Sequence, residues 1–115
     1  MVKLNELLTR EDLEKAEDMS SEKPVLLFKQ STTCPISADA FEQYNSYLEK
    51  TDEDIDAYFV KVRETREVSN QIAEDTGIQH QSPQIFLMKN KEVLWHTSHS
   101  DITAEHIEEA VADIK

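Results

Sequence analysis

An uninterrupted apolar run at residues 25–28 places the strongest constraint on the fold. The run follows Pro24 and has the length of a strand, which is too short for a stable helix. Because apolar and polar residues do not alternate within it, the run is typical of a central strand that is buried on both faces. Such a strand needs helices packed on each side of its sheet, which predicts an α/β fold.

Amphipathic patterns before and after the run predict those helices. Thr9 is placed as the N-cap of the first helix, which fades near residues 19–21. The second helix opens at Pro35 and continues to about Glu49, with Ile36 counted in its apolar stripe. Thr65 is placed to cap the third helix, and Gly77, the single glycine, to end it. Ile102-Thr103 begins the fourth helix.

Three more apolar runs, at residues 57–62, 84–88 and 93–95, have strand composition. Asn90 and Lys91 separate the last two and predict a hairpin, although Asn-Lys is a weaker turn signal than Asn-Gly. Parallel strands joined by helices require right-handed crossovers, and the hairpin adds an antiparallel edge. The pattern predicts one domain over residues 1–115, with a four-stranded mixed sheet flanked by helices on both faces.

The charge of the chain excludes some classes of partner. Lys and Arg total 12 against 24 for Asp and Glu, so the net charge of -12 opposes binding to nucleic acid. No apolar stretch is long enough to cross a membrane, and the N-terminus lacks the apolar run of a signal peptide. A single cysteine forms no internal disulfide. We therefore expect a cytoplasmic protein that binds neither nucleic acid nor membranes.

Cys34 is that single cysteine, and it stands where the apolar strand gives way to the helix opened by Pro35. Unpaired N–H groups and a partial positive charge at a helix start favour a thiolate, whereas the acidity of the chain opposes it. The alternative is a small, inert core side chain, since free cysteines are often buried. The surface-facing junction favours the reactive interpretation.

Two segments together resemble a known superfamily. The string Thr33-Cys34-Pro35-Ile36-Ser37 follows a buried strand, and Ser82-Pro83 stands at the start of the hairpin, as in thioredoxin-like proteins. More narrowly, that string and residues 79–84 resemble the monothiol bacilliredoxins, which handle bacillithiol mixed disulfides in Gram-positive bacteria. Thioredoxins proper carry a second cysteine where this chain has Ser37, so reduction of the thioredoxin type is not implied.

The resemblance implies a thioredoxin-like fold and a monothiol thiol–disulfide oxidoreductase. Exchange leaves a mixed disulfide on the attacking cysteine, and without a second thiol Cys34 must be reset by an external one. The expected reaction removes bacillithiol, or a similar low-molecular-weight thiol, from client proteins. Bacillithiol is then a co-substrate, capped client proteins are the partners, and no tightly bound cofactor is expected.

Supporting roles follow for the neighbours of Cys34. Ser37 either donates a hydrogen bond to the thiolate or is a surface hydroxyl without a role. The resemblance implies a cis Ser82-Pro83 bond beside Cys34. Ser82, through its backbone, Pro83 and Thr33, the residue before Cys34, are then expected to contact the substrate. His80 either shares a proton with Cys34 or is an exposed loop histidine.

Two alternative functions and two further side chains complete the expectations. A non-catalytic binding module would use the proline loop to hold partners, whereas an iron–sulfur redoxin would need a shared cluster that the rigid Pro35 should crowd. His96 and His99 lack a third ligand nearby, so no metal site is expected. Lys29 offsets acidic charge near Cys34 if it lies at the strand end.

Overall fold

The computed structural model describes residues 2–114. Within them strands and helices alternate as far as β4, which β5 follows directly. The order is β1 Leu4–Glu6, α1 Arg10–Met19, β2 Val25–Gln30, α2 Pro35–Lys50, β3 Asp56–Lys61, α3 Arg66–Thr76, β4 Gln84–Lys89, β5 Glu92–Ser98 and α4 Ala104–Asp113. A 3-10 turn, His99–Asp101, precedes α4. No helix between residues 2 and 114 combines the length and apolar character that a membrane span needs.

The strands form one mixed sheet in the order β1-β3-β2-β4-β5. β2 and β3 are parallel, and β4 is antiparallel to both β2 and β5. The α/β class and the mixed sheet are confirmed, but the predicted strand number of four is wrong because β1 adds a fifth. Leu4–Glu6 has no apolar run of its own, and it becomes a strand by pairing in parallel with the edge of β3.

Alternate residues of β2 enter two separate cores, as a strand buried on both faces requires. Leu26 and Phe28 belong to the core under α2 and α4, whereas Val25 and Leu27 belong to the core under α1 and α3. Tyr44 of α2 is fully buried, and its hydroxyl reaches the carbonyl oxygens of Leu26 and Tyr58 at 3.3 and 3.0 Å. This fixes α2 over two neighbouring strands.

Local capping chemistry sets most of the helix ends. Thr9 is the N-cap of α1, as predicted, and it forms a capping box with Asp12. The Thr103 side chain accepts from the His106 N–H at 3.1 Å, whereas Thr65 occupies the N-cap of α3 without a side-chain cap bond. Gly77 ends α3 at φ +69, the left-handed conformation expected for it.

The hairpin between β4 and β5 has the predicted tight turn. Asn90 and Lys91 have φ angles of 54 and 63, and both values are positive as a type I′ turn requires. The Asn90 N–H donates to the Ser20 carbonyl at 2.6 Å, and the Lys91 N–H donates to Ser20 Oγ at 2.9 Å. These bonds tie the hairpin to the end of α1.

Candidate functional site

The sheet topology brings the two segments of the predicted site to one end of the sheet. Lys29 near the end of β2 pairs with Gln84 at the start of antiparallel β4. The loop that leaves β2 toward Cys34 and the loop that enters β4 through Pro83 therefore lie at the same end of neighbouring strands. β3 ends there too, since the Val62 N–H donates to the Gln30 carbonyl at 2.8 Å.

Cys34 is the N-cap residue of α2. Its backbone is extended, its carbonyl accepts from the Ala38 N–H at 3.1 Å, and its side chain makes no capping hydrogen bond. The side chain is partly exposed. Cys34 is thus not sealed in the core, and its sulfur lies at a helix start where the first N–H groups lack intrahelical acceptors.

Exposed residues flank Cys34 on both sides. Thr33 and Pro35 are exposed, and Pro35 is the first residue of α2, where its missing N–H costs nothing. Ile36 is 49% exposed, so its assignment to the buried stripe is wrong. The buried face of α2 begins instead at Ser37 and continues through Ala40 and Tyr44, so the polar Ser37 takes the inward position of the first turn.

Ser37 is fully buried one turn along α2. Its Oγ accepts a hydrogen bond from the Ser31 N–H at 2.8 Å, which ties the loop after β2 to the helix. Ser37 is therefore not a surface hydroxyl. This bond leaves the hydroxyl hydrogen free to donate, and donation to a Cys34 thiolate stays a prediction.

The Ser82-Pro83 peptide bond is cis, as the resemblance implied. Pro83 is buried, and its carbonyl accepts from the His99 N–H at 3.1 Å. The backbone N–H and carbonyl of Ser82 form no hydrogen bond with any residue between 2 and 114. Ser82 Oγ is also buried without a partner in that part of the chain. Ser82 thus retains the backbone groups that an added strand would use.

Gln84 fixes the loop that carries His80. The Gln84 side chain is buried; its Oε1 accepts from the Gln81 N–H at 3.2 Å, and its Nε2 donates to the Gln79 carbonyl at 3.1 Å. Both neighbours of His80 are held in this way. The sequence carried no local signal for this role, because a glutamine at the start of a strand is ordinarily exposed.

His80 is exposed, and its Nδ1 lies 3.1 Å from the Nζ of Lys29. Lys29 is fully buried at the penultimate position of β2, near the strand end as anticipated, with Nζ 5.8 Å from the centre of the Phe86 ring. Burial lowers the pKa of Lys29 to about 8. Partial burial and the Lys29 charge lower the pKa of His80. The sequence analysis missed this pair, although a lysine closing an apolar run was a visible signal.

Acidic and imidazole groups border the same end of the sheet. Thr32 Oγ1 donates to Glu64 Oε2 at 3.1 Å, so one carboxylate lies beside the loop before Cys34. His96 packs on Phe86 with ring centres 6.3 Å apart. No group of three or more His, Cys, Asp or Glu side chains suited to a metal ion occurs among residues 2–114.

Comparisons with known proteins agree with this geometry. The model of the family described as monothiol bacilliredoxin BrxC matches residues 5–107. A solved structure described as a proposed oxidoreductase with a thioredoxin fold is 35% identical, with 93% of this chain and 92% of that chain covered and a TM-score of 0.83.

Solved thioredoxins share the architecture at much lower identity. Thioredoxin from Fasciola hepatica is 14% identical, with coverage of 96% of this chain and 99% of that chain and a TM-score of 0.76. A Schistosoma mansoni thioredoxin pre-protein is 19% identical, with coverage of 98% and 99% and a TM-score of 0.77. The thioredoxin-like fold that the resemblance implied is confirmed.

Proposed function

The chain belongs to the monothiol bacilliredoxin family, and from this premise we propose that it removes bacillithiol, or a similar low-molecular-weight thiol, from protein mixed disulfides. A thiol redox role agrees with both the family and the fold. The observation that carries the proposal is the placement of Cys34, the one cysteine of the chain, partly exposed at the N-cap of α2. We further propose that the protein acts in the cytoplasm, where thiols are kept reduced.

The first step transfers the cap to the protein. The Cys34 thiolate attacks the cap sulfur of the client's mixed disulfide, so a bond forms between Cys34 and the cap while the bond from cap to client breaks. The client cysteine leaves as a thiolate and takes a proton from solvent. No electrons are gained or lost overall, because one disulfide replaces another.

The second step resets Cys34. A second molecule of the low-molecular-weight thiol attacks as its thiolate on the cap sulfur, which forms the small-molecule disulfide and releases the Cys34 thiolate. The chain has no other cysteine to do this internally. The small disulfide must then be reduced by a separate enzyme of the compartment.

The residues around Cys34 have separable roles in this proposal. The helix N-terminus and the hydroxyl hydrogen of Ser37 stabilise the thiolate before attack. The free backbone groups of Ser82 bind an extended segment of the substrate, and Thr33 and Pro35 contact it from the other side of the sulfur. These assignments rest on position, burial and the free hydrogen-bonding groups described above.

A mass-spectrometric transfer experiment tests the function. A client protein carrying bacillithiol on one cysteine is mixed with the protein, and we expect free client together with a cap on Cys34. Adding excess bacillithiol should then free Cys34. A client that stays capped, or that is released equally well by the Cys34→Ala variant, would contradict the proposal. Parallel clients capped with glutathione or cysteine identify the preferred thiol.

The free backbone of Ser82 also supports a second candidate, a binding module that holds extended segments without chemistry. Partner affinity separates the two functions, since a binding module should be unaffected by Cys34→Ser. An iron–sulfur role has no comparable support, because Pro35 occupies the first position of α2 directly after the sulfur. Absence of colour in protein purified without oxygen is the expected outcome.

A further inference from the structure

Lys29 is a buried cation without an acidic partner. The chain has 24 Asp and Glu residues, yet none of the ion pairs among residues 2–114 includes Lys29. Within the described part of the chain, the polar and ring contacts of its ammonium are to an imidazole nitrogen and an aromatic ring. Burying an ammonium without a carboxylate opposes folding, so stability does not explain the lysine. A functional role toward His80 would explain why a lysine is buried here.

The chemistry of the contact defines the state of His80. Below the Lys29 pKa of about 8 the side chain is mostly an ammonium, which only donates hydrogen bonds, so the Nδ1 of His80 is the acceptor there. The imidazole is then neutral and carries its hydrogen on Nε2. The direction of the His80 pKa shift agrees, because partial burial lowers the pKa and the nearby Lys29 charge lowers it further.

The loop holds that imidazole in place. Gln84 bonds to the residues before and after His80, and Lys29 pairs with Gln84 across the two strands. The Nε2 of His80 has no hydrogen-bond partner among the described residues, and the side chain is exposed. A fixed N–H donor is thus presented to solvent two residues before Ser82.

We propose that Lys29 is a positioning residue that keeps His80 in its neutral Nε2–H form, so that this N–H binds a carboxylate of the low-molecular-weight thiol. The identity of the ligand rests on the proposed function, whereas the state of His80 does not. A carboxylate is favoured because the Lys29 charge lies behind the imidazole, and an ammonium that polarises the ring strengthens donation to an anion. Two other histidines lie near this assembly: His96, across the Phe86 ring, and His99, whose backbone N–H donates to the Pro83 carbonyl.

Nitrogen NMR of the histidine ring tests the state of His80 without any assay of activity. In the wild-type protein near neutral pH we expect the Nε2–H form of His80 alone. In Lys29→Met we expect a mixture of the two neutral forms and an upward shift of the His80 titration midpoint, and Lys29→Arg should restore the single form. A charged or Nδ1–H ring in the wild-type protein, or no change in Lys29→Met, would overturn the proposal.

Kinetics with two caps test the ligand. His80→Leu removes the donor, whereas His80→Gln places an amide N–H near the position of Nε2. The readout is the ratio of KM values for a client capped with a carboxylate-bearing thiol and the same client capped with cysteamine, which has none. We expect His80→Leu to raise this ratio about 10-fold to 100-fold and His80→Gln to raise it much less.

Other outcomes of the kinetic test are equally decisive. An unchanged ratio in His80→Leu, or a change that follows the client sequence rather than the cap, would overturn the carboxylate assignment. If the wild-type protein transfers no cap, the proposed function fails. The NMR result on His80 would still stand, so the two failures are distinguishable.

Discussion

At the scale of single residues, the buried charge of Lys29 lowers the free energy of unfolding, and replacing Lys29 should raise it. We expect Lys29→Met to raise the free energy of unfolding near neutral pH by about 1 to 3 kcal/mol, because a buried ammonium is replaced by an apolar side chain of similar length. Urea unfolding measures this. Lys15→Met, which removes the same charge from an exposed position, should change stability much less.

The pH dependence of that gain follows from the pKa of Lys29. Its folded pKa of about 8 lies below the ordinary value of 10.5, so between them the unfolded chain binds more protons than the folded chain. Wild-type stability therefore rises with pH across this window. The difference between wild type and Lys29→Met should shrink from about pH 8 to about pH 10, and a constant difference would contradict the burial argument.

Ser37 makes the second prediction at this scale. Ser37→Ala removes the buried acceptor of the Ser31 N–H and should lower the free energy of unfolding by about 1 to 2 kcal/mol. The variant also loses the hydroxyl proposed to stabilise the Cys34 thiolate, so a smaller thiolate fraction should slow alkylation of Cys34 at fixed pH. Ser100→Ala, at an exposed position, is the matched control for both measurements. Equal stability of the two variants would show that the Ser37 bond contributes nothing.

At the scale of elements, the contact between α1 and α3 contains a pair of like charges. Burial and the neighbouring Asp75 raise the pKa of Glu17 to about 7, above its ordinary 4.5. Between these values the folded chain therefore binds more protons than the unfolded chain. The contribution of Glu17 to the free energy of unfolding is fully present below pH 4.5 and is lost as the pH rises through about 7.

Asp75→Asn should remove much of this penalty. We expect the variant to be more stable than wild type at about pH 8, by about 1 kcal/mol or less because Glu17 is only partly buried, and to show little gain at about pH 5. Thermal unfolding at the two pH values measures the difference. A gain of the same size at both would assign the effect to Asp75 itself rather than to its carboxylate beside Glu17.

Elements with a strong local signal were predictable, and those that depend on a partner strand were not. Residues 25–28 and the capping box at Thr9 carry their own structural information, so β2 and α1 were placed closely. Leu4–Glu6 carries none and forms a strand only because β3 has an open edge. Ile36 shows a similar limit for burial, since the apolar spacing of α2 includes Ile36 whereas the buried position of the first turn belongs to the polar Ser37.

The candidate site was likewise predictable only in part. Cys34, Ser37 and the cis Ser82-Pro83 bond were found from short strings and a family resemblance. The Lys29–His80 contact joins residues 51 positions apart, and it depends on the register of β2 against β4. No local pattern encodes that register.

At the scale of the whole molecule, the net charge of -12 should govern encounters with charged thiols. We expect the reaction of Cys34 with a dianionic aromatic disulfide to accelerate with added salt, because the repulsive field is screened. The reaction with a neutral dipyridyl disulfide is the control and should change little. Stopped-flow absorbance follows both, and equal salt dependence would show that the field at Cys34 is locally neutralised.

The burial of Ser37 has a consequence for what a cysteine at this position would do. A sulfur at that position would stand one helical turn from Cys34 and be shielded from bulk water. Reagents in solution would then reach only the Cys34 sulfur. The buried sulfur would attack the mixed disulfide formed there and release the captured thiol. With an oxygen there, the protein depends on an external thiol to free Cys34, whereas a second sulfur would free the captured group internally and leave a disulfide between positions 34 and 37.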